Sequence, residues 1–465
     1  MAAATANCSA MDARTRALLE QLAALPVVDA HEHLHTEERR VARRVDIFLL
    51  FYQYLAAQYI AAGMPPEQCQ KLEREDVALD EKWAILSPFL DFVRDNAVAR
   101  PPFEALKHYF GEEDLTAGNY ERLTEQMRAH NQPGLFERCL REDCHIVAVL
   151  NQNRTMWQTD LFKPILFENR FIGGPGREGF QAVMAEAADP DRWALCEDAL
   201  AAVGAHRGAP DGGGRTASVP DGGGRTASAP LPGTLNGFIE AMGALLERRR
   251  EEGMVGVKSI GFAHTRVERT QALAAYQYMR AGHATGEDLA ALLSYLRDQM
   301  WEACGRLGLV AVVHTGVWAG NYADHTTIRP TNVLPMALAH RDTRFDLFHA
   351  GTPWPADAGM VARASHNIWL NLCWSHLISP VQYAQALDLW LDYVPSNRIS
   401  GFGGDYWWNV ENVYGALRQA QEALAGMLAR RIQQGSCNEA RALQLAQRWL
   451  HDNPRELYGL DKELP

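Results

Sequence analysis

The chain has 465 residues, 47% hydrophobic and 22% charged, which is enough apolar material for a large core. A net charge of −12 argues against a nucleic-acid or anionic-membrane surface, and no run approaches the roughly 18 consecutive apolar residues of a membrane span. Eight cysteines without a Cys-x-x-Cys fit reduced thiols, and Met1 to Asp12 lacks a secretory pattern, so a cytoplasmic protein is expected.

A helix from Asp12 to Ala24 leads into the apolar run Leu25-Pro26-Val27-Val28-Asp29-Ala30, which ends on His31-Glu32-His33. Alternation along a strand places His31 and His33 on one face, with Asp29 below them on the same side. Two such imidazoles can hold one divalent ion from a single rigid element. The next segment, Thr36 to Arg141, reads as helical. Ile47, Leu50, Phe51, Tyr54 and Tyr59 form an apolar face ended by Gly63 and Pro65-Pro66, and further helices are expected near Asp80–Asp95 and Tyr120–Ala129. Residues 36–141 are therefore expected to be a helical insertion on the side of the strand end that carries His31 and His33, serving as a lid or as a buttress against itself or a neighbouring subunit.

Strands are expected at His145–Leu150 and Pro164–Phe167. Between Phe171 and Gly253 lies a tandem decapeptide, residues 211–220 and 221–230, rich in Gly and Ser. A segment of this composition cannot bury apolar surface, so 205–232 is expected to be a mobile loop. Its triple Gly lacks both a preceding strand and a Gly-Lys-Ser/Thr, which argues against a phosphate-binding loop. Further short apolar runs follow. Met254–Val257 leads to Lys258, Leu309–Val313 to His314, Phe345–Phe348 to His349, and Arg398–Gly404 to Asp405, with another strand at Asn367–Cys373. Helical stretches such as Glu287–Leu307 and Ala356–Ala364 separate them. Alternating strands and helices imply a parallel sheet, and ligand-type residues at strand C-termini fit the catalytic face of a closed α/β barrel, residues 1–35 and 142–465. The tail, Asn409 to Leu460, reads as mostly helical and closes it.

His-x-His followed by Lys, His, His and Asp on later strands resembles the amidohydrolase superfamily, metal-dependent enzymes on a distorted (β/α)8 TIM barrel. Val313-His314-Thr315-Gly316, Phe348-His349-Ala350-Gly351 and Gly403-Gly404-Asp405 resemble its amidohydrolase 2 branch, which includes decarboxylases and relatives of uronate isomerase. The early insertion and the stretch Asn397–Tyr414 are similar to those relatives, and the likeness spans Val27 to about Leu460. The resemblance implies that His31, His33, His314 and Asp405 bind metal. His349 is then either a ligand to a second metal or a group that polarises a substrate carbonyl. Lys258 bridges two metals if carboxylated and contacts substrate if it remains an amine; the branch points to one ion, zinc. Asp405, His349 and Lys258 are the catalytic candidates, with Asp405 taking a proton from metal-activated water.

Trp157, Trp318, Trp354, Trp374, Trp407 and Trp408, half of the twelve tryptophans, follow strand ends and border the expected mouth. Arg170, Arg266 and Arg329, on loops after the third, fourth and fifth strands, could clamp a carboxylate, and His264, His325 and His376 are further candidates. The leading expectation is a metal-dependent hydrolase acting on a small carboxylated amide or lactone, in a homo-oligomer without nucleic-acid or membrane partners. The alternative is a uronate isomerase-like isomerase or a decarboxylase on the same site; a third reading is an inactive barrel used as a binding module.

Overall fold

Eight short runs form strands β1 (Val27–Glu32), β2 (Ile146–Gln152), β3 (Phe162–Phe167), β4 (Gly256–Ile260), β5 (Val310–His314), β6 (Arg344–Phe348), β7 (Ile368–Asn371) and β8 (Ile399–Ser400). The structure is a computed structural model that describes residues 12–152, 159–174, 176–188 and 229–460. Trp157 and most of the duplicated segment lie outside the described residues. All neighbouring strands are parallel and follow chain order from β1 to β8. The ring is completed past β8, where Ala30 N donates to Phe402 O at 3.0 Å and His33 N to Tyr406 O at 2.9 Å. The architecture is a (β/α)8 barrel.

Period-two alternation explains both faces of the barrel wall. Val28, Ala30, Ala148, Leu150, Ile165, Val310, Val312 and Phe348 pack together inside. Their neighbours Val149, Leu166, Val257, Ala311, Val313 and Leu347 pack outward against the helices. The tail plugs one end, since Leu457 and Tyr458 join the interior cluster and Tyr458 Oη donates to Asp346 Oδ2 at 2.7 Å. Strand β4 runs through Lys258, which therefore lies within the strand rather than beyond it. The β8 ladder is only two residues long, because Gly401, Gly403 and Gly404 take the chain onward beside β1.

One expectation about β1 fails for a clear reason. Between Asp29 and Glu32 the strand advances three residues while β2 advances two, from Val149 to Asn151. This β-bulge changes the parity of the strand. Val28 and Ala30 face inward, and so does His31, whose ring lies 4.6 Å from that of Phe348. Asp29, between two inward residues, does not share the face of the histidines. It turns with Glu32 to the seam that joins β1 to the chain after β8.

Residues 36–141 are helical, with α-helices at Glu37–Ala42, Leu55–Ala61, Pro66–Lys71, Leu79–Val93, Arg100–Phe110 and Tyr120–His130. Ile47–Phe51, expected as part of an α-helical face, is instead a 3-10 turn with all five side chains buried. No described helix is long and apolar enough to cross a membrane. The insertion is tied to the barrel by Arg40, which donates to Glu411 Oε1 at 2.7 Å and to Trp408 O at 2.7 Å, with Asn131 Oδ1 as a third acceptor. Arg40 and Glu411 are both buried. Arg40→Ala would strand the Glu411 carboxylate, and a loss of about 3–5 kcal/mol is expected in urea unfolding. Replacing the pair together, Arg40→Met with Glu411→Leu, should cost clearly less.

Candidate metal centre and active site

The bulge and the seam bring the first and last strands of the barrel to one point. Asp405 N donates to His31 O at 2.9 Å, which carries the Asp405 side chain over the two histidines. His31 Nε2 and His33 Nε2 lie 3.3 and 3.2 Å from the same oxygen, Asp405 Oδ1. One ligand-type atom from each of these residues falls within 4.8 Å of the others. His31 is buried and His33 partly open. Burial, then the nearby Lys258, pushes the His31 imidazole well below its usual pKa, so it is neutral. Its buried Nδ1 has no hydrogen-bond partner. Two imidazoles and a carboxylate converging at this spacing fit a divalent cation.

Tight backbone geometry holds the third member of this set. Gly404 N donates to Asp29 Oδ1 at 3.3 Å and Tyr406 N to Glu32 Oε2 at 2.5 Å. A Cβ at Gly404 would meet Glu32 Oε1 at 2.1 Å, so a larger residue there would displace the Glu32 carboxyl. Burial raises both carboxyls, Asp29 to about 7 and Glu32 well above the carboxylate range. The insertion grips the same loop. Gln53 Nε2 donates to Asp405 O at 2.9 Å, and the Tyr54 hydroxyl donates to that oxygen too. Asp405, His349, Ala350 and Trp374 all have left-handed φ, between 55° and 68°. Non-glycine residues in this conformation concentrate where packing over-determines the backbone, often at functional sites.

Around this set stand most of the other expected residues. His314 ends β5 and His349 follows β6, with His349 Nε2 and His314 Nδ1 3.0 Å apart. His314 Nε2 faces Val317 O at 2.8 Å, and the ring stacks on Trp318 at 5.2 Å. Both His314 nitrogens are thus occupied within the protein, and it does not join the His31, His33 and Asp405 cluster. Lys258 Nζ lies 3.9 Å from the centre of the Phe348 ring, buried and without a hydrogen-bond partner. Burial brings its pKa down to about 8. Trp374 is edge-on to His349 at 5.2 Å and packs on Tyr54 at 4.9 Å, while Trp407, half exposed, is edge-on to His33 at 6.2 Å.

The arginine clamp does not assemble. Arg170 is buried against Glu186, which also takes Arg249. Arg266 lines a groove between helices with His264, Asp298 and His340, apart from the His31, His33 and Asp405 cluster. Arg329 lies over Trp354 at 4.7 Å and 3.5 Å from Asp357, so its guanidinium is engaged within the protein. His376 packs on Phe402 and Tyr383 in the outward-facing core, its pKa brought to about 3 by burial. His264 bonds Asp298 at 2.9 Å, and His325 Nδ1 accepts from Trp318 N. Trp408 stacks on His35 at 3.7 Å. The structure instead places Gln53, Tyr54, Glu32 and Cys373 around the site. Gln53, Tyr54 and Cys373 belong to no motif, whereas Glu32 could have been found from its place between the two histidines.

Comparisons with known proteins bear on the fold and the family. No curated protein sequence matches. Among solved structures, a uronate isomerase from Thermotoga maritima superposes with a TM-score of 0.74 at 14% identity, covering 96% of this chain and 98% of its own. A glucuronate isomerase from Caulobacter crescentus gives 0.70 at 13%, covering 98% and 96%. A Lactobacillus casei protein assigned as a metal-dependent hydrolase gives 0.59 at 16%, covering 96% and 99%. These likenesses establish the fold. The amidohydrolase family model matches residues 181–460, more than half of the 465, and the chain belongs to that family.

Proposed function

We propose that this chain is a metal-dependent hydrolase that opens a small amide or lactone, with one divalent ion, zinc, held by His31, His33 and Asp405. The observation that carries the reading is the convergence of two imidazole nitrogens on one carboxylate oxygen, at 3.3 and 3.2 Å, at the barrel mouth. Bound there, a divalent ion supplies Lewis acidity to water and to the scissile carbonyl. Asp405 accepts the proton of the attacking water and returns it to the leaving group. Trp374, whose buried indole N–H has no partner, is the donor we assign to the carbonyl oxygen, and His349 joins it only where the substrate oxygen takes the Nε2–H from His314. Lys258 is an unpaired buried cation in the barrel, so an acidic group on the substrate is expected to seek it. The arginines leave that task. Lys258 on the face of Phe348, together with the occupied nitrogens of His314, supports one ion rather than two.

A second reading has its own support, the chain-long likeness to uronate isomerases with the helical insertion included. In that reaction Asp405 would move a proton between adjacent carbons of a hydroxy-carbonyl acid. Water labelled with ¹⁸O separates the two, because hydrolysis puts solvent oxygen into the product, whereas a proton shuttle can only exchange hydrogen at carbon.

Elemental analysis of purified variants tests the ligand set. His31→Ala and His33→Ala should each lose the metal, while His314→Ala should keep it. An empty His314→Ala would restore that residue as a ligand. For activity, lactones, N-acyl amino acids and uronates are screened first, and rates are then compared at equal metal content. Asp405→Asn keeps an oxygen donor but accepts no proton at neutral pH, so a loss of about 10²–10⁴-fold is expected. Near wild-type turnover by a metal-loaded Asp405→Asn would remove the assigned role.

A further inference from the structure

Carbonyl oxygens only accept hydrogen bonds, and this decides where the protons sit on His314 and His349. Val317 O lies 2.8 Å from His314 Nε2, so that nitrogen carries a proton. His314 is neutral, its pKa pushed down to about 3 by burial and then by Lys258, and its Nδ1 is therefore a bare lone pair. That lone pair faces His349 Nε2 at 3.0 Å, which must be an N–H. His349 is kept neutral as well, by burial first and by His314 and Lys258 after it, leaving its Nδ1 without a proton.

The His349 Nδ1 lone pair has two close neighbours, both supplied by Cys373. The carbonyl oxygen at 3.2 Å cannot donate to it; the sulfur at 3.4 Å can. Cys373 is buried and firmly held. Its backbone N donates to Asn371 Oδ1 at 2.9 Å, and the next residue, Trp374, donates from its N to Gly403 O at 2.9 Å. A Cβ on Gly403 would come within 2.5 Å of Cys373 Cβ, so the thiol is pressed into this corner.

We propose that Cys373 is a positioning residue whose S–H donates to His349 Nδ1 and so sets the His349 tautomer, in a directed chain from the thiol through His349 and His314 to the Val317 carbonyl. Two consequences follow. His314 has no lone pair to offer a metal. His349 gives its one N–H to His314 and its one lone pair to the thiol, so it has no free lone pair to act as a base, and a substrate oxygen can take its N–H only by displacing His314; proton acceptance is left to Asp405. The catalytic consequence rests on the function proposed above; the hydrogen-bond chain does not.

The test uses ¹⁵N-histidine-labelled full-length protein, prepared without metal or substrate, with the His349 signals assigned by difference against His349→Gln. Wild type should show His349 protonated at Nε2 and bare at Nδ1. Cys373→Val, nearly the same size, removes the donor, and His349 should move its proton to Nδ1 to reach the residue-373 carbonyl, breaking the bond to His314. Cys373→Ser should restore the wild-type tautomer, and it keeps the question answerable if the valine variant does not fold. A His349 Nδ1–H in wild type, or an unchanged tautomer in Cys373→Val, overturns the proposal. With a substrate in hand, Cys373→Val should lower kcat about 10–100-fold, as orienting partners of catalytic histidines do, with KM little changed and rescue by serine. A confirmed tautomer in a protein that turns over nothing in the screen keeps the chain and removes the reaction. A failed tautomer arm removes the chain whatever the activity.

Discussion

The arrangement at the mouth depends on the seam between β1 and the chain that follows β8. One extra residue in β1 puts His31 and His33 on the inner face and sends Asp29 and Glu32 to the seam. There the two carboxyls accept the backbone N–H groups on either side of Asp405, while Asp405 N reaches back to His31 O. Each contact would be modest in water, but buried and convergent they leave the Asp405 loop one path. The ligand-type residues of the two ends of the barrel meet only when the ring closes. Metal affinity and completion of the fold are therefore linked, because an unfolded chain has no preformed site.

The helical insertion belongs to the site as much as to the scaffold. Its Arg40 is fixed by Glu411 and Trp408 of the closing segment, and Gln53 and Tyr54 grip the carbonyl of Asp405 from above. Asn321, on the loop after β5, donates to Ala57 O at 3.0 Å and ties a second mouth loop to the same segment. Residues 36–141 thus buttress the mouth, since the contacts that support the insertion also hold the Asp405 backbone.

Much of the fold was legible because buried parallel strands write a short apolar signature, and the His-x-His lay at the end of the first of them. What alternation could not show was the bulge. Asp29 is polar on either face, so nothing in β1 betrays an inserted residue. Loop positions told which side of the barrel Arg170 and Arg329 would occupy but not where the guanidinium would turn. Their partners, Glu186 and Asp357, come later in the chain without any motif. His376 failed similarly, since the short helix Ser375–Ile378 turns it from the strand end into the outward-facing core. Tyr54 read as one member of an apolar face and Cys373 as one scattered thiol. Only the folded chain shows that each touches a residue of the site.

Charge balance narrows what the site can receive. His31, His314 and His349 are all neutral, because burial and the neighbouring Lys258 oppose a second positive charge. Asp405 is the acidic member of the His31, His33 and Asp405 cluster, and Asp29 and Glu32 behind it are held toward their protonated forms. A divalent cation added to this surrounding would outweigh the carboxylate and reinforce the positive character of Lys258. The two seam carboxyls can ionise in response by releasing their protons, which supplies part of the compensation. The remainder must come from what enters the mouth. A substrate that carries or develops negative charge is favoured by such a field, and a cationic one is repelled by it. The acidic substrates expected from the sequence therefore keep their physical basis after the arginine clamp is withdrawn. On the function proposed above, the attraction comes from Lys258 and the bound ion at the floor of the barrel rather than from its rim.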